Sequence, residues 1–333
     1  HSTGRRQRQM CIRDRYYLKT LDWKKLNASM GFVSKKCNRS KFRIWRDIFK
    51  DSIKFNISIL DYFLFRFYEM PPKEKETFAG TGYMYEYQLL MNPKSSREII
   101  DNKLVFLSEY KDFVKHSFAS LSDFENEMPN AQNLLTGEDS KIVLKNSRGQ
   151  CGNGIEVRRA SDFNSKTVVS RLIETQNDFV EEFVDQHNQL NKLSPSGLNT
   201  VRIITQLDKN NEVKYLGARL RITVNSAVDN LAAGNLAAPI DIHSGIVSGP
   251  GVYSDITKSD EEIHPVTQER IMGFQVPFWP EIILMTKQAA SFNKMNRSIG
   301  WDVAVTNKGP ELIEANHDWC KWLWQLPVKQ GLK

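Results

Sequence analysis

The chain is poor in cysteine: four in 333 residues, Cys11, Cys37, Cys151 and Cys320, widely spaced and without a C-x-x-C pair. That spacing excludes a disulfide-stapled scaffold and a zinc knuckle of the usual kind, and a reducing, cytoplasmic setting is expected. Histidine is sparse too, with six residues and no H-E-x-x-H or similar ligand pair, so a divalent cation here would need oxygen ligands. Long hydrophobic runs are missing. The longest apolar window, residues 57–68 (ISILDYFLFRFY), is interrupted by Asp61 and Arg66 and falls short of the roughly 20 residues that cross a bilayer. A concentrated basic stripe is also absent. The formal charge is +7, but more than half of the excess sits in residues 1–15, where Arg5, Arg6, Arg8, Arg13 and Arg15 outnumber Asp14. The rest is dispersed and not interleaved with stacking aromatics, so no nucleic-acid partner is expected.

Residues 1–15 stand apart. The chain opens on His1, and RRQRQMCIRDR resembles the spurious translation of sequencing-adaptor DNA, so a non-native basic tail is expected there. The alternative, a targeting or lipid-binding tail, lacks the apolar run of a signal peptide.

What is present is an ordinary globular composition, 40% hydrophobic and 26% charged. At about 100–200 residues per domain, the length suits two domains or one large α/β unit with an extension. Residues 16–135 carry aromatic and charged residues at helical spacing, with Pro71-Pro72 and Asn92-Pro93 as punctuation, and predict a mainly helical region. From Lys141 the texture changes to short β-branched runs between turn residues: KIVLK, GIEVRR, DFVEEFV, TVRIITQL, VKYLGARLRITV, WDVAVT and ELIEA. Helical patterns at 162–174 and 280–293 interrupt them without strict alternation, which predicts an α+β (mixed α/β) class. Residues 189–197 (QLNKLSPSG) read as a flexible link between strands.

Three constellations can carry chemistry. In residues 141–157 (KIVLKNSRGQCGNGIEV) a strand ends at Lys145 and a loop with Gly149, Gly152 and Gly154 leads into another strand. No Gly-Lys-Ser/Thr follows and no helix comes next, so this is neither a Walker A loop nor a dinucleotide fingerprint. It reads either as a flap whose amides cover phosphates, with a lysine at its base, or as a solvated β-turn. In residues 301–316 (WDVAVTNKGPELIEAN) two strands flank the turn Asn307-Lys308-Gly309-Pro310. Glu314 and Asn316 leave one strand face and can share a cation such as magnesium. Asp302 joins them if the loop is odd, and an even loop turns it away. The plainer reading is a hairpin with polar solvent-facing positions, but these strands look buried on both faces, and a buried carboxylate needs a partner. The third set is Arg202, Arg219 and Arg221, suited to phosphate or carboxylate, or else to weak surface ion pairs. His264 and His317 are read as acceptor contacts, general bases or satisfied structural histidines. Trp301, Trp319, Trp322 and Trp324 are read as packing residues.

In this order the constellations resemble the ATP-grasp superfamily, and more narrowly its sugar-transfer-associated branch, the α-L-glutamate-ligase-related ATP-grasp proteins. The narrower resemblance rests on SILDYFLFRFY, DNKLVF, SGLNTVRIITQLD, VDNLAAGNLAAPID, HPVTQERIMGFQVPFWPE and IGWDVAVTNKGPELIEANHDW, over residues 57–325. It implies an ATP-grasp fold, two α+β subdomains gripping ATP. The expected division is a helical region at 16–100, a small subdomain with the glycine flap at 101–185, a large subdomain with the metal hairpin at 186–325, and a tail at 326–333.

The resemblance also implies roles. Lys103 and Lys145 would reach the nucleotide phosphates under the flap of Gly149, Gly152 and Gly154. Glu181 would receive the adenine amino group beside the backbone of Phe183 and Val184. Asp302, Glu314 and Asn316 would hold one or two Mg2+, Arg202, Arg219 and Arg221 would serve acyl phosphate and substrate, and Asn230, Gly234 and Asn235 would line the acceptor side. The family's ribose acid falls where this chain reads Gln186, His187, Asn188. The implied activity is an ATP-dependent carboxylate–amine ligation through an acyl phosphate, on small carboxylate and amine substrates with a sugar or glycan precursor among the candidates, in surface-polysaccharide biosynthesis. The alternatives are an ATP-grasp phosphotransferase and a non-catalytic nucleotide-binding module.

Overall fold

The computed structural model describes residues 22–137, 139–149 and 154–333; Gly152 and the basic tail at 1–15 lie outside them. By contact density the chain divides into two compact units. One holds the residues up to Glu86 with Asp255–Ser259 and Lys329–Lys333, and the other holds Tyr87–Ser254 with Asp260–Val328.

The first unit is helical, as its periodicity predicts. Helix α1 (Trp23–Lys36) starts where the Asp22 carboxylate accepts the amides of Lys24 and Lys25, and it buries Leu26, Met30 and Val33 at i, i+4, i+7. Helix α2 (Lys41–Phe55) is capped by Ser40, buries Ile44, Ile48 and Asp51, and stops at Asn56 in the left-handed region. Short helices α3 (Ile59–Leu64) and α4 (Pro72–Lys75) follow. Phe65, Phe67 and Phe78 form an aromatic core whose centroids lie 4.9–6.2 Å apart. Asp61, which looked like a blemish in an apolar window, is fully buried. Its Oδ2 accepts the amides of Ser58 (2.9 Å) and Thr81 (2.9 Å) and the Thr81 hydroxyl (2.7 Å), so it caps α3 and fastens the start of α5 (Thr81–Met91).

The second unit opens with α6 (Glu98–Asp101) and α7 (Lys103–Glu109), then strand β1 (Phe118–Ser120), helices α8 (Leu121–Glu125) and α9 (Pro129–Leu134), and strands β2 (Lys141–Lys145) and β3 (Glu156–Arg159). Next come α10 (Ser165–Thr175), β4 (Phe179–Glu182), α11 (Asn188–Leu193), β5 (Val201–Leu207), β6 (Val213–Ile222) and β7 (Leu236–Ile240). The chain continues with α12 (Trp279–Phe292), β8 (Ser298–Thr306), β9 (Gly309–Asn316) and α13 (Lys321–Gln325).

Two antiparallel sheets result, ordered β1-β4-β2-β3 and β7-β6-β5-β8-β9. Helices α8, α9 and α10 cover one face of the first through Phe124, Leu134, Val168 and Leu172 against Ile142, Leu144 and Val180. Helices α7 and α12 join the core of the second through Phe106, Leu107, Ile282 and Ala289 against Val201, Ile203, Trp301 and Val303. The α+β class and the helical amino-terminal region predicted from sequence are both present.

Three local expectations change. β1 lies inside the stretch read as helical, because three residues suffice to pair with β4 and leave no readable period. β7 has small residues and Pro239 instead of a β-branched pattern, which its end position in the sheet tolerates. The link at 189–197 begins inside α11, whose Leu190 and Leu193 are buried in the large core. Among the described residues no helix is long and apolar enough to cross a membrane.

Replacing Asp61 with Ala leaves the Ser58 and Thr81 donors unpaired in a dry site. A loss of about 3 kcal/mol in urea-unfolding free energy is expected, since each stranded buried donor costs about 1–3 kcal/mol. Unchanged stability would show that the buried carboxylate is dispensable.

Candidate active site

The small sheet supplies a lysine and an acid. Side chains alternate along β2 and β4, so Ile142, Leu144 and Val180 enter the helix-covered core while Val143, Lys145 and Glu181 take the other face. The register pairs Val143 with Glu181 and Lys145 with Phe179. Lys145 and Glu181 are therefore diagonal neighbours, and they form an ion pair. Phe183 and Val184 follow directly as the chain leaves β4 toward the β8–β9 hairpin, where the His187 amide donates to the Val305 carbonyl at 2.6 Å. Lys103 opens α7. Its amide donates to the Ser147 carbonyl at 2.9 Å and its ammonium to the Gly149 carbonyl, tying the helix start to the loop after β2. At the far end of that loop Asn177 donates to the Gly154 carbonyl at 3.0 Å.

The large sheet supplies a row of charge. Cross-strand pairing aligns Arg219, Arg202, Asp302 and Glu314 on neighbouring strands. Turn length alone predicts otherwise. Thr306 pairs with Gly309 across the two-residue turn Asn307-Lys308, an even loop, which would rotate Asp302 away from Glu314. A bulge corrects the phase: between Asp302/Val303 and their partners Glu314/Leu312 one extra residue, Ile313, is inserted on β9, and Asp302 again faces Glu314. Gly309, at φ +108°, closes the turn in a conformation that favours glycine.

Asp302 is gripped from two sides. Arg202 binds it bidentately, Nε to Oδ1 at 2.5 Å and Nη2 to Oδ2 at 2.8 Å, and Arg221 Nη1 reaches Oδ2 at 3.0 Å. Gly300 makes room for this, because a Cβ there would lie 3.2 Å from Arg202 Cδ and 2.7 Å from Trp319 Cβ. Arg221 also pairs with the buried Asp229 at 2.6 Å, and Asp229 in turn accepts the Thr200 amide and hydroxyl. Burial would raise the Asp302 carboxyl, but the two guanidiniums overcome it and hold the group far below the usual carboxylate range. Glu314 goes the other way. Desolvation and the neighbouring Asp302 charge raise it, while Lys103 and Arg202 pull it down. Lys103 is thus within electrostatic reach of Glu314. Asn316 bridges the acids with long contacts, 3.3 Å to Glu314 and 3.5 Å to Asp302.

Other predicted residues are occupied differently. Arg219 is buried away from the acids and donates to the Trp324 carbonyl, with Nε at 3.0 Å. Without a carboxylate partner, burial pushes its guanidinium down to about 10. The fully buried Asn235 spends its amide on Val224, Val228 and Asn230 backbone groups at 2.6–3.0 Å. Asn230 caps the following turn through the Ala232 amide, and Gly234 ends that turn in the left-handed region. His264 is structural: Nε2 donates to the Thr223 carbonyl at 2.8 Å and Nδ1 accepts amides. His317 pairs with Asp101 at 2.7 Å.

Sequence reading passed over His116, Glu311 and Asp229. Buried Glu311 on β9 accepts the amides of Lys115 and His116 and contacts His116 Nδ1 at 2.7 Å. His116 Nε2 has no hydrogen-bond partner and lies 3.9 Å from Glu181. The small-sheet acid and the strand bearing Glu314 are joined through this histidine. A charge inside the buried run PELIE was the only sequence signal for it.

The donor set suits a hard cation. Glu314 and Asn316 offer a carboxylate and an amide oxygen, and the crowded Glu314–Asp302 contact would be relieved by positive charge between them. Asp302 already serves two arginines, so it joins such a set by sharing an oxygen. Among the described residues no three His, Cys, Asp or Glu side chains form a ready-made cage.

Residues 83–333 match the family described as sugar-transfer associated ATP-grasp, and the chain belongs to it. A search of curated proteins returns no match. Among solved structures, N5-carboxyaminoimidazole synthetase from Staphylococcus aureus complexed with ADP is 10% identical at TM-score 0.43, covering 71% of this chain and 52% of that one. The L-amino acid ligase from Bacillus licheniformis is 13% identical at TM-score 0.39, covering 71% and 48%. The biotin carboxylase domain of Hydrogenobacter thermophilus 2-oxoglutarate carboxylase is 14% identical at TM-score 0.41, covering 75% and 52%. The chain spans about half the length of each.

Two stability outcomes follow from the geometry. Asp302→Ala strands the buried Arg202 guanidinium and takes one of the two carboxylates from Arg221, and is expected to cost about 3–5 kcal/mol in urea unfolding, whereas Glu314→Gln removes a like-charge contact and should leave stability within about 1 kcal/mol. Equal losses would contradict the assignment of Asp302 as the arginine counter-ion. For Glu311, burial alone would raise the carboxyl, but the His116 contact and the two amides hold it below its ordinary 4.5. The folded state therefore binds that proton less tightly than the unfolded chain. Its contribution is complete above about pH 4.5 and is lost as pH falls through the depressed value. Glu311→Gln should cost about 2 kcal/mol at pH 7, with a flatter loss of stability between pH 5 and 3; parallel pH profiles for variant and wild type would contradict it.

Proposed function

We propose that this member of the sugar-transfer associated ATP-grasp family is an ATP- and Mg2+-dependent carboxylate–amine ligase working through an acyl phosphate, on a substrate of surface-polysaccharide biosynthesis. The observation that carries the reading is the cross-strand pairing of Asp302 with Glu314, with Asn316 beside them and Arg202 and Arg221 gripping Asp302. The polysaccharide context rests on the family description alone.

In this reading residues 101–185 and 186–325 are the two gripping subdomains, and ATP lies between the sheets. Glu181 takes the adenine amino group, with the backbone at Phe183 and Val184 as the purine edge. On binding, Lys145 exchanges Glu181 for phosphate, as Lys103 exchanges the Gly149 carbonyl, and the loop of Gly149, Gly152 and Gly154 covers the phosphates. Glu314 and Asn316, with Asp302 sharing an oxygen, would hold Mg2+, which when bound supplies charge neutralisation for the phosphate oxygens. Asn230, Gly234 and Asn235 form the acceptor-side loop, with Asn235 acting through the backbone it braces.

A carboxylate oxygen of the acid attacks the γ-phosphorus and the bond to the β-phosphate oxygen breaks, giving acyl phosphate and ADP. The amine nitrogen then attacks the acyl carbon, loses a proton, and inorganic phosphate leaves. The protein's part is alignment and charge neutralisation by Lys103, Lys145, Arg202 and Arg221. Arg202 and Arg221 are preorganised by Asp302, so they present fixed positive charge without reorganising during the reaction. Arg219, spent on the Trp324 carbonyl, ties α13 to the sheet. A closed glycine loop would keep water from the acyl phosphate.

The test is ADP release from ATP against a panel of amino acids, uronic acids and amino sugars. A ligase releases ADP only when acid and amine are both present, while a phosphotransferase needs a single acceptor. Glu314→Gln and Lys103→Met are each expected to lower turnover about 10²–10³-fold, the usual cost of one electrostatic contact at a transferring group. Wild-type turnover in Glu314→Gln would overturn the metal assignment.

A further inference from the structure

Helix α2 precedes the family match and carries a surface that the core of its unit does not use. Helix α2 turns Ile44 and Ile48 inward, yet its opposite side holds Phe42 (81% exposed), Trp45 (39%), Phe49 (70%) and Ile53 (58%). These positions fall at i, i+3, i+7 and i+11, one stripe about 17 Å long. Phe42 and Phe49 stand out as a ridge and not as a groove, a shape that enters a plane and does not receive a partner's side chain. Exposed Lys41, Arg43, Arg46, Lys50 and Lys54 border it. The two acids of the helix are engaged elsewhere: Asp51 is buried against Lys75 at 2.6 Å, and Asp47 lies 3.6 Å from Arg39 and 3.5 Å from Arg46. Lys54 has Glu76 at 3.9 Å, an exposed contact. The outward charge of the ridge is positive.

We infer that α2 docks the chain on an anionic membrane surface: the ridge of Phe42, Trp45, Phe49 and Ile53 seats at the headgroup boundary, and the lysines and arginines along its edges meet the lipid phosphates. A second copy of the chain is the poorer occupant, because two ridges face to face would oppose two basic edges.

Flotation of the full chain with vesicles tests this. Phosphatidylcholine vesicles containing about a third phosphatidylglycerol should carry the protein with an affinity at least about tenfold above pure phosphatidylcholine, and the affinity should fall with added salt. Phe42→Ser with Phe49→Ser, both at exposed positions, should weaken that binding at least about tenfold. Glu314→Gln should bind vesicles as wild type does, which separates this inference from the ligase reading. Wild-type protein left unbound would overturn the inference. So would a ridge variant that binds undiminished, since attraction would then lie with the arginines of residues 1–15. Loss of a concentration-dependent dimer in the ridge variant, without vesicle binding, would assign the face to a second copy.

Discussion

A carboxylate buried between two arginines organises the second unit. Asp302 lies on a strand whose residues are buried almost throughout, where an uncompensated charge would cost several kcal/mol. Arg202 and Arg221 neutralise it, and Asp229 neutralises what remains of Arg221. The cluster is tolerable only if β6, β5 and β8 keep one register, because a one-residue slip would turn the charges to opposite faces. The two guanidiniums are thereby fixed in place beside Glu314 and Asn316. A residue that looks like a cation ligand in sequence serves first as the counter-ion that sets the sheet.

Strand β9 ties this cluster to the small sheet. Toward its start Glu311 gathers the Lys115 and His116 amides and the His116 ring, and toward its end lie Glu314 and Asn316. His116 in turn looks toward Glu181, the partner of Lys145. The residues read as purine-facing and those read as cation-facing are thus linked through one buried histidine and one strand, with every intermediate contact a charged or polar one. Lys103 ties the start of α7 to the loop after β2 through its backbone and its ammonium contact.

Much of this was legible in the chain because the signals were strong and local. Short β-branched runs between turn residues located β2, β4, β5, β6, β8 and β9, and the i, i+2 spacing of Glu314 and Asn316 placed them on one face. Turn chemistry found the hairpin but misjudged its parity, since an extra residue at Ile313 leaves no compositional mark. β1 and β7 escaped because one is three residues long and the other is built from alanine, leucine and proline. Arg219 and Arg221 looked equivalent at i, i+2, yet one is drawn to the Trp324 carbonyl and the other to Asp302.

Sequence alone determined the class, the strand-rich half and the residue types at the candidate site, because periodicity and short motifs act over a few residues. Tertiary structure decided which charges meet: Asp302 with two arginines, Lys145 with Glu181, His116 with Glu311, and Arg219 with a backbone carbonyl. Those partners are separated by tens to a hundred or more positions along the chain, and only strand register and the packing of one sheet against another bring them within hydrogen-bond distance. Burial then removes the water that would otherwise let each charge stand alone.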